Sequence, residues 1–588
     1  MILGISMSHD ASAALTDSQG RVLGAIGEER LSRRKNHRGI PTESIAALLE
    51  SVTSAQEVTR LVIGSHEFLP AEDAYRFLAD LDNQASNPRG TTKRTRPGWR
   101  PPTNAATPMA GVEDAIRTVM SRKLPNASSI PIIWLNHHLS HLGSALGVNS
   151  TDPTLLISLD GEGDGESGAV AVSDGAQMRV VGRIPAADSL GLLYSAVTAR
   201  YNFQPTRHEG KITGLAAFGS NSAAVDILRE HVEVREGIPH IRYPKSFRAR
   251  LGRLALRHLG LNRNVVLSLD DIADRAERGT ANYADLAYAI QHVLEESVCE
   301  MVEYWVGRTG LNDIALAGGV FSNVRLNQRL ADLPFTRRVT VFPNMGDGGL
   351  ALGGIWSVLK SEGQLDSGPL YANMFLAPET DHFDEVRMRA TAARFGLDFE
   401  AIPPDALASR VAESILDGEI VGWHEGSMEF GPRALGHRSI LLDPRHRESV
   451  ETLNARLRRT EFMPFAPVVL REKFNEYFET NNASLQPFQY MTMTCSVRPE
   501  FHSVLQGVTH VDGTARPQII DADDTPNYFD IVSEFGRATG IYVLVNTSFN
   551  THEEPINGRL EDSIAALLSD AVDVLATPAG FLRVKSTQ

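Results

Sequence analysis

Two histidines four residues apart are the first candidates for chemistry in this sequence. His137 and His141 lie in the run 136–141, which follows the strand-like 132–134 and is expected to be helical. Side chains four residues apart on a helix project from one face, as two ligands of a single ion must. The same spacing is also typical of two partly exposed histidines that only form hydrogen bonds.

Two aspartates extend this candidate metal site. Asp160 and Asp347 each follow a strand-like run and lie in a glycine-rich loop, so we expect both carboxylates to face one cleft. Two imidazoles with carboxylates suit Fe(II), Mn(II) or Zn(II) better than a soft metal, and they leave coordination positions open for phosphate oxygens. The four residues therefore predict a divalent transition-metal centre beside a phosphate site.

A glycine pair and a loop histidine supply further candidate groups. Gly318 and Gly319 follow the strand-like 314–316, where backbone amides can approach phosphate oxygens closely. Such pairs are equally typical of ordinary turns. His9 lies in a loop after the first apolar run, and its ordinary pKa of about 6.5 makes it a candidate general base for an alcohol nucleophile. The alternative is a histidine that only holds this loop.

The second part of the chain is rich in groups that bind phosphate. Arginine grips phosphate oxygens in bidentate fashion through charge-assisted hydrogen bonds. The candidate donors are Arg433, Arg438, Arg458, Arg459 and Arg516, with Asn546 and Ser548. Any one of these arginines is, alternatively, an ordinary surface charge.

Two stretches of the chain share one pattern of short strands and turns. Residues 2–24 and 155–182 each read as a strand, a polar loop and two further strands joined by tight turns. This repetition predicts a duplicated half-domain of the actin/hexokinase type, an α/β architecture in which a nucleotide lies in the cleft between two similar halves. A plain doubly wound sheet is the alternative.

A change of composition at 361–369 marks the expected domain boundary. The chain has 588 residues, and a single hydrophobic core stops growing at roughly 250–300 residues. We therefore expect an N-terminal domain over 1–362 and a smaller α/β domain over 370–588, in which 420–424 and 541–545 are strand-like.

Composition limits the partners and the compartment. The net charge of −15 disfavours general affinity for nucleic acid, whose phosphates bind Lys and Arg. No apolar run approaches the roughly 20 residues of a membrane helix, and the first residues lack the regions of a signal peptide. The only two cysteines, Cys299 and Cys495, lie far apart in the sequence. These features predict a cytoplasmic protein that binds neither nucleic acid nor membrane, and they leave a homodimer open.

Several motifs follow one another along the chain. Those of the first part are His9-Asp10-Ala11-Ser12, His137-His138-x-x-His141, Asp160-Gly161, Gly210-Lys211-x-x-Gly214-Leu215-Ala216, Gly318-Gly319-Val320 and Gly346-Asp347. Those of the second part are Gly431-Pro432-Arg433-Ala434-Leu435-Gly436-x-Arg438-Ser439, Pro464-Phe465-Ala466-Pro467, Arg516-Pro517-Gln518 and Asn546-Thr547-Ser548-Phe549-Asn550. Taken together, these motifs resemble those of the nodulation/antibiotic O-carbamoyltransferase family, itself similar to the tRNA threonylcarbamoyl transferases. The resemblance covers nearly the whole chain, in order.

The resemblance implies a division of labour between two domains. A YrdC-like C-terminal domain would make carbamoyl adenylate from carbamoyl phosphate and ATP with Mg²⁺, and the N-terminal domain would transfer the carbamoyl group to a hydroxyl of a small-molecule natural product. An Fe²⁺-like ion would be held by His137, His141, Asp160 and Asp347. The expected catalytic residues are His9, Arg433 and Arg516. The expected nucleotide- and phosphate-binding residues are Lys211, Gly318, Gly319, Asn323, Arg438, Arg458, Arg459, Asn546 and Ser548.

Some alternatives stay open at this point. At Arg458 the family usually has lysine, and arginine keeps the charge without lysine's compact geometry, which puts that residue's role in doubt. The same fold could serve tRNA threonylcarbamoyl transfer, an actin-like sugar kinase or a nucleotide sensor. The net charge of −15 stands against the first, and the kinase gives no task to the histidine pair. Residues 83–108 are polar and rich in Pro, Gly and Thr, which is typical of a solvated loop or, alternatively, of a lid or an acceptor-binding insert. Together with residues 200–210 they are expected to shape the acceptor pocket, but they carry no pattern that identifies the acceptor.

Overall fold

The computed structural model describes residues 1–52, 58–65, 108–148, 153–175, 177–243, 263–379, 381–458, 464–551 and 553–585. Residues 83–107 of the predicted acceptor loop and Arg459 lie outside this part of the chain. The described strands form two five-stranded sheets, one eight-stranded sheet and two small ones. No helix in these ranges has both the length and the hydropathy that crossing a bilayer requires.

The first five-stranded sheet is built from the start of the chain. Its strands are β1 (Ile2–Ser6), β2 (Ser12–Thr16), β3 (Val22–Gly27), β4 (Arg60–Ile63) and β5 (Ile132–Trp134). The first three form an antiparallel meander, and β4 and β5 add in parallel beside β1, so the order is β3-β2-β1-β4-β5. The helices of this half are α1 (Glu28–Ser32), α2 (Thr42–Ser51), α3 (Pro108–Ser121) and α4 (His137–Val148). Every residue of β1 and β2 is buried, as expected of strands covered on both faces.

The second five-stranded sheet repeats this topology. The elements of this half, in chain order, are β6 (Thr154–Gly163), β7 (Glu166–Ser173), β8 (Met178–Pro185), α5 (Leu190–Arg200), α6 (Glu209–Ala216), α7 (Ala223–His231), β9 (Val232–Arg235), β10 (Ile238–Ile241), α8 (Arg263–Glu277), α9 (Asp285–Thr309), β11 (Asp313–Ala317), α10 (Val324–Ala331), β12 (Arg338–Val341) and α11 (Leu350–Ser361). Its strand order is β8-β7-β6-β11-β12, again a meander followed by two parallel strands. The predicted duplication of the actin/hexokinase type is confirmed.

Two helices, α4 and α11, cross closely between these two sheets. A Cβ on Gly143 would lie 1.9 Å from the carbonyl oxygen of Gly353, and one on Gly353 would lie 2.0 Å from that of Ser140. Only glycine permits two backbones to approach this closely. Because the histidine pair lies at the start of α4 and Asp347 just precedes α11, the crossing brings these groups together.

The remaining elements form a smaller α/β domain. They are α12 (Glu385–Phe395), β13 (Leu397–Ala401), α13 (Pro404–Leu416), β14 (Val421–His424), β15 (Arg438–Leu442), α14 (Arg447–Arg456), β16 (Ala466–Leu470), α15 (Phe474–Tyr477), β17 (Phe478–Glu479), α16 (Gln486–Gln489), β18 (Cys495–Val497), β19 (Thr514–Ala515), β20 (Gln518–Ile520), α17 (Pro526–Thr539), β21 (Val543–Ser548), α18 (Leu560–Leu568), β22 (Val574–Thr577) and β23 (Gly580–Val584). One mixed sheet of order β13-β23-β22-β14-β15-β21-β16-β20 runs through it, in agreement with the YrdC-like α/β fold predicted for this part.

The segment between α11 and α12 joins the two parts. Its described residues contain no helix or strand, and the predicted boundary between 362 and 370 lies within it. The Val22 amide donates to the Leu370 carbonyl at 2.8 Å, and the Ala25 amide donates to the Leu376 carbonyl at 2.8 Å. The segment therefore covers the exposed edge of β3, which would otherwise present unpaired backbone groups. The division at 362 and 370 itself stays a prediction.

Candidate functional site

The four predicted metal ligands lie together in the cleft between the duplicated halves. His137 begins α4 and His141 follows one turn later, Asp160 lies in the last part of β6, and Asp347 begins a short 3₁₀ turn before α11. One side-chain ligand atom from each residue lies within 4.8 Å of the corresponding atoms of the others. The fold thus assembles residues that are separated by up to 210 positions in the sequence, from His137 to Asp347.

The spacing of these atoms fits one divalent ion. The Nε2 atoms of His137 and His141 are 3.1 Å apart. Asp160 Oδ2 lies 3.0 Å from His141 Nε2 and 3.9 Å from His137 Nε2. Asp347 Oδ1 lies 3.5 Å from each of the two nitrogens. Ligands about 2.1 Å from one ion are separated by about 3.0 Å at right angles and about 4.2 Å when opposite, so the observed distances fall in the required range.

The electrostatics of the two carboxylates point the same way. Asp347 Oδ1 is buried and has no hydrogen-bond partner within the described part of the chain, although it faces both imidazoles. Burial raises the pKa of Asp160, but hydrogen bonds from His137 and His141 outweigh it and hold that pKa well below its usual range. Burial also raises the pKa of Asp347, but the charges of His9 and His137 outweigh it and lower that pKa. Both groups are therefore ionised, as metal ligands must be.

Neighbouring residues fix the orientation of the histidines. Asp164 Oδ2 accepts a hydrogen bond from the His137 amide at 2.7 Å, and Asn136 Oδ1 accepts one from the Leu139 amide at 3.1 Å, so both side chains cap the start of α4. A Cβ on Gly163 would lie only 2.2 Å from Cγ of the His137 ring. The His137 imidazole therefore occupies the space that any other residue at position 163 would fill.

His9 lies against the metal-ligand cluster. Its Nδ1 is 3.1 Å from Asp347 Oδ2, and its Nε2 is 3.3 Å from Asp10 Oδ2. Burial lowers the pKa of His9, but the charges of Asp347 and Asp10 outweigh it and raise the pKa to about 10. In this arrangement the imidazole carries a proton and orients Asp347. A cation held by Asp347 would oppose the shift, because positive charge disfavours imidazolium. The role of His9 as a base stays a prediction.

The glycine pair supports one of the carboxylates. The Gly318 φ angle is 101°, and a Cβ there would lie 2.1 Å from the Leu159 carbonyl oxygen, so the position requires glycine. The Gly319 amide donates to Asp160 Oδ2 at 3.0 Å. This bond orients Asp160 in the cleft. The Gly318 amide donates to the Met345 carbonyl at 2.7 Å. The role of the two amides toward phosphate stays a prediction.

Two other predicted nucleotide-binding residues lie on neighbouring helices. Asn323 caps α10 by accepting a hydrogen bond from the Leu326 amide at 3.1 Å, and it donates to Gln291 Oε1 at 2.8 Å. Lys211 is half-buried on α6, with Nζ 5.3 Å from the centroid of the Phe203 ring. Their roles toward a nucleotide stay predictions.

In the C-terminal domain, residues 431–437 form a loop before β15 that we call the arginine loop, because it carries Arg433. Gly431 and Gly436 have φ angles of 145° and 117°, which favour glycine. Glu429 Oε1 accepts hydrogen bonds from the amides of Leu435 at 2.9 Å, of His437 at 3.1 Å and of Arg438 at 3.1 Å. One buried carboxylate therefore closes the loop.

The other predicted phosphate-binding residues of this domain lie close to the arginine loop. Asn546 on β21 donates to the Ala434 carbonyl at 3.0 Å and to Gln518 Oε1 at 2.6 Å. Arg516 lies two residues before Gln518 on β20, and Ser548 is paired in register with Ser439 of β15. The structure thus brings Arg433, Arg516, Asn546 and Ser548 to one region of the sheet, with Asn546 supporting the loop from inside.

Arg438 is enclosed in the protein. Its side chain is 0% exposed, and the guanidinium donates to backbone carbonyls of Glu425, Gly426, His437 and Gly558. Burial lowers the pKa of Arg438 to about 10, against the opposing charges of nearby carboxylates. Its phosphate-binding role would require these bonds to be exchanged, and it stays a prediction. Arg458 is exposed just beyond the end of α14.

Sequence reasoning missed residues that hold the site in place. Gly163 and Asp164 lie in the run 160–165, whose alternating glycines are the one local sign of close packing. Glu429 precedes the arginine loop, and nothing in the surrounding sequence marks it as the carboxylate that closes the loop. Its role follows from three backbone contacts that only the folded chain shows.

Comparison with known proteins gives matches over both parts of the chain. The family model described as carbamoyltransferase N-terminus matches residues 1–355, and that described as carbamoyltransferase C-terminus matches residues 412–583. Nodulation protein NolNO of Sinorhizobium fredii is 30% identical over 98% of this chain and 79% of its own length. The uncharacterised protein sll1178 of Synechocystis is 30% identical over 100% of this chain and 97% of its own. The 3'-hydroxymethylcephem-O-carbamoyltransferase of Streptomyces clavuligerus is 28% identical over 73% and 76% of the two chains.

Proposed function

The chain belongs to the carbamoyltransferase family, and we propose that it is an ATP-dependent O-carbamoyltransferase that acts on a small-molecule natural product. It takes the carbamoyl group of carbamoyl phosphate, forms carbamoyl adenylate and passes the group to a hydroxyl of the acceptor, with AMP as the leaving group. The observation that carries the proposal is the cluster of His137, His141, Asp160 and Asp347 in the cleft of a chain matched by both carbamoyltransferase models.

We assign adenylate formation to residues 370–588. Water cleaves carbamoyl phosphate to carbamate and inorganic phosphate, and a carbamate oxygen then attacks the α-phosphorus of ATP, which releases pyrophosphate. Arg433 and Arg516 bind the phosphate oxygens, because their planar guanidinium groups match such oxygens in bidentate fashion. Asn546 holds the arginine loop through the Ala434 carbonyl, which supports the position of Arg433. Mg²⁺ enters with the ATP phosphates.

We assign the transfer step to residues 1–362. The four clustered ligands would hold Fe²⁺ or another divalent transition metal, which supplies positive charge beside the phosphate of the adenylate when bound. We also assign Gly318 and Gly319 to the phosphate of the adenylate. Their amides donate to the Met345 carbonyl at 2.7 Å and to Asp160 Oδ2 at 3.0 Å, so binding of phosphate would exchange these bonds. We assign His9 as the base that takes the proton of the acceptor hydroxyl, since an alcohol is a weak nucleophile until a base removes its proton. Only the neutral imidazole can do so, and a cation held by Asp347 would favour that form by opposing the rise of the His9 pKa.

Relatives support a hydroxyl acceptor. One is a 3'-hydroxymethylcephem-O-carbamoyltransferase and another is a nodulation protein, so carbamoyl transfer to oxygen occurs within the group of proteins that this chain resembles. The net charge of −15 gives no support to tRNA as the acceptor, because a tRNA partner requires a basic surface.

The proposal is tested by product analysis. The protein is incubated with ATP, Mg²⁺, Fe²⁺ and carbamoyl phosphate against a panel of natural-product alcohols, and nucleotides and acceptors are measured by chromatography and mass spectrometry. AMP and pyrophosphate that form only with carbamoyl phosphate, with a carbamate adduct on an alcohol, support the proposal. ADP as the product would indicate a kinase, and an adduct only on tRNA would indicate a threonylcarbamoyl transferase. Absence of turnover would contradict the O-carbamoyltransferase as well as these two alternatives.

A further inference from the structure

The short helix α1 of the N-terminal part makes a buried contact with the arginine loop. Arg30 on α1 is 2% exposed, and its Nη2 donates to the Gly431 carbonyl at 2.7 Å. Gly431 is the first residue of the loop, whereas Glu429 binds amides at its other end. A buried guanidinium is costly without compensation, and the charges of Glu29 and Glu429 provide it here. The loop is therefore held from both ends, and one of the two holding groups comes from the other domain.

The residue before Arg30 on α1, Glu29, is tied to the transfer centre. Glu29 Oε2 accepts a hydrogen bond from the Asn36 amide at 2.8 Å, and Asn36 Nδ2 donates to Asp10 Oδ1 at 2.8 Å. Asp10 in turn lies 3.3 Å from His9, which contacts Asp347. A continuous set of polar contacts thus runs from the metal-ligand cluster to α1.

The helix between these two sets of contacts is firmly anchored. Glu28, the first residue of α1, accepts hydrogen bonds from the Ser44 amide at 2.8 Å, from Ser44 Oγ at 2.7 Å and from the Glu43 amide at 3.0 Å. On the side of the C-terminal domain, a Cβ on Gly558 would lie 2.3 Å from the Arg30 carbonyl oxygen, so the two backbones are in direct contact. Because α1 is anchored on both sides, it holds Arg30 in a fixed position relative to both domains.

We propose that Arg30 is a positioning residue for adenylate formation, although it belongs to the N-terminal part of the chain. It holds the start of the arginine loop, and with it Arg433, in the geometry that binds carbamoyl phosphate and ATP. Through α1 it keeps that geometry in register with the His9 side of the transfer centre. The inference rests on the proposed function, because it assigns Arg30 to the pyrophosphate-releasing half-reaction.

The test compares two substitutions at this residue. Arg30→Met keeps an apolar stem and removes the charge, and Arg30→Lys keeps a charged donor without the planar fork. We expect kcat for pyrophosphate release to fall by about 10- to 100-fold in Arg30→Met, the usual effect of a small displacement of a binding group, and by less in Arg30→Lys. Single-turnover transfer from supplied carbamoyl adenylate should stay at the wild-type rate in both.

Arg33, the residue just after the end of α1, offers a matched control. Its guanidinium also crosses to the C-terminal domain, donating to the Ile556 carbonyl at 2.8 Å and to the Pro555 carbonyl at 3.0 Å, but these residues lie outside the arginine loop. We expect Arg33→Met to release pyrophosphate at the wild-type rate. Two outcomes would show a general weakening of the interface and overturn the inference. One is an equal loss of pyrophosphate release in Arg30→Met and Arg33→Met. The other is an equal loss of pyrophosphate release and of transfer in both Arg30 variants.

Hydrogen exchange separates this inference from the proposed function. Amides at positions 435, 437 and 438, which bind Glu429, should exchange faster in Arg30→Met than in the wild type or in Arg33→Met, whatever reaction the protein catalyses. If the wild-type protein releases no pyrophosphate with carbamoyl phosphate, the proposed function is refuted. The exchange measurement would still test whether Arg30 holds the arginine loop. Unchanged exchange in Arg30→Met would overturn the role of Arg30.

Discussion

Substitution of Gly163 by alanine should disrupt the proposed metal site without removing any of its four candidate ligands. The new Cβ would lie 2.2, 2.3 and 2.5 Å from Cγ, Cδ2 and Nδ1 of the His137 ring. Because carbon atoms in contact are about 3.5–4.0 Å apart, the ring would have to move by about 1 Å or more. The His137 side chain is 0% exposed, so no open space receives it. Metal–ligand distances tolerate shifts of only about 0.2 Å, and the nitrogen would leave the coordination sphere.

The expected losses can be measured separately. Affinity for Fe²⁺ or a substitute such as Zn²⁺ should fall by at least about 10- to 100-fold, the loss typical when the support of a ligand is removed. The free energy of unfolding of the metal-free protein should fall by about 1–3 kcal/mol, as for other overpacked interiors. Metal competition titration and metal content after purification report the loss of metal affinity, and urea denaturation reports the loss of stability.

Gly161 provides the control, two residues earlier on the same strand. A Cβ there would meet only Leu192 Cδ2, at 3.7 Å, which is an ordinary contact. Gly161→Ala should therefore bind metal like the wild type. The reasoning is refuted if Gly163→Ala retains wild-type metal affinity, or if both alanine variants lose it equally.

Three further predictions concern the two domains. Arg516→Ala should abolish pyrophosphate release and leave transfer from supplied carbamoyl adenylate nearly intact; equal loss of both activities would contradict its assignment to adenylation alone. His9→Asn should lower single-turnover transfer by about 10²- to 10⁴-fold while keeping adenylate binding, and a near-normal rate would rule out the base role. Burial, assisted by the charge of Arg438, lowers the pKa of His424 to about 4, so the folded state keeps this imidazole neutral. Unfolding free energy should therefore fall as the pH decreases from about 6.5 to about 4, with about 3 kcal/mol due to this group, and His424→Gln should show a flatter profile in urea denaturation.

Local patterns were sufficient to predict much of the fold and the grouping of the four candidate metal ligands. The spacing of His137 and His141 needs only one helical turn to place both rings on one face, and the structure has a helix there. The repeated strand pattern at the starts of the two halves depends on alternating apolar residues and turn glycines, which are local properties. The meeting of Asp160 and Asp347 with the histidines followed from strand ends that open into one cleft.

Contacts between distant residues could not be predicted in this way. Arg30 and Gly431 are separated by 401 positions, and neither has a neighbour that marks the contact. Gly163 is one of several glycines in its loop, and only the position of the His137 ring distinguishes it from the others. Such residues act through the shape of the folded chain, so their roles become visible only when the two partners are placed together.

Arg438 illustrates why charge alone does not identify a ligand-binding residue. A glycine-rich loop with positive φ angles cannot pair its own backbone groups as a helix or strand does, and its buried carbonyls need donors from elsewhere. Arginine has five N–H donors in one planar group, so one buried side chain can satisfy several carbonyls at once. Four backbone carbonyls around Arg438 are bound in this way. Arginine therefore suits two different tasks, binding a phosphate and supporting the backbone of its own loop. Sequence cannot tell which task Arg433 and Arg438 each perform, because the difference lies in how far the fold encloses each guanidinium.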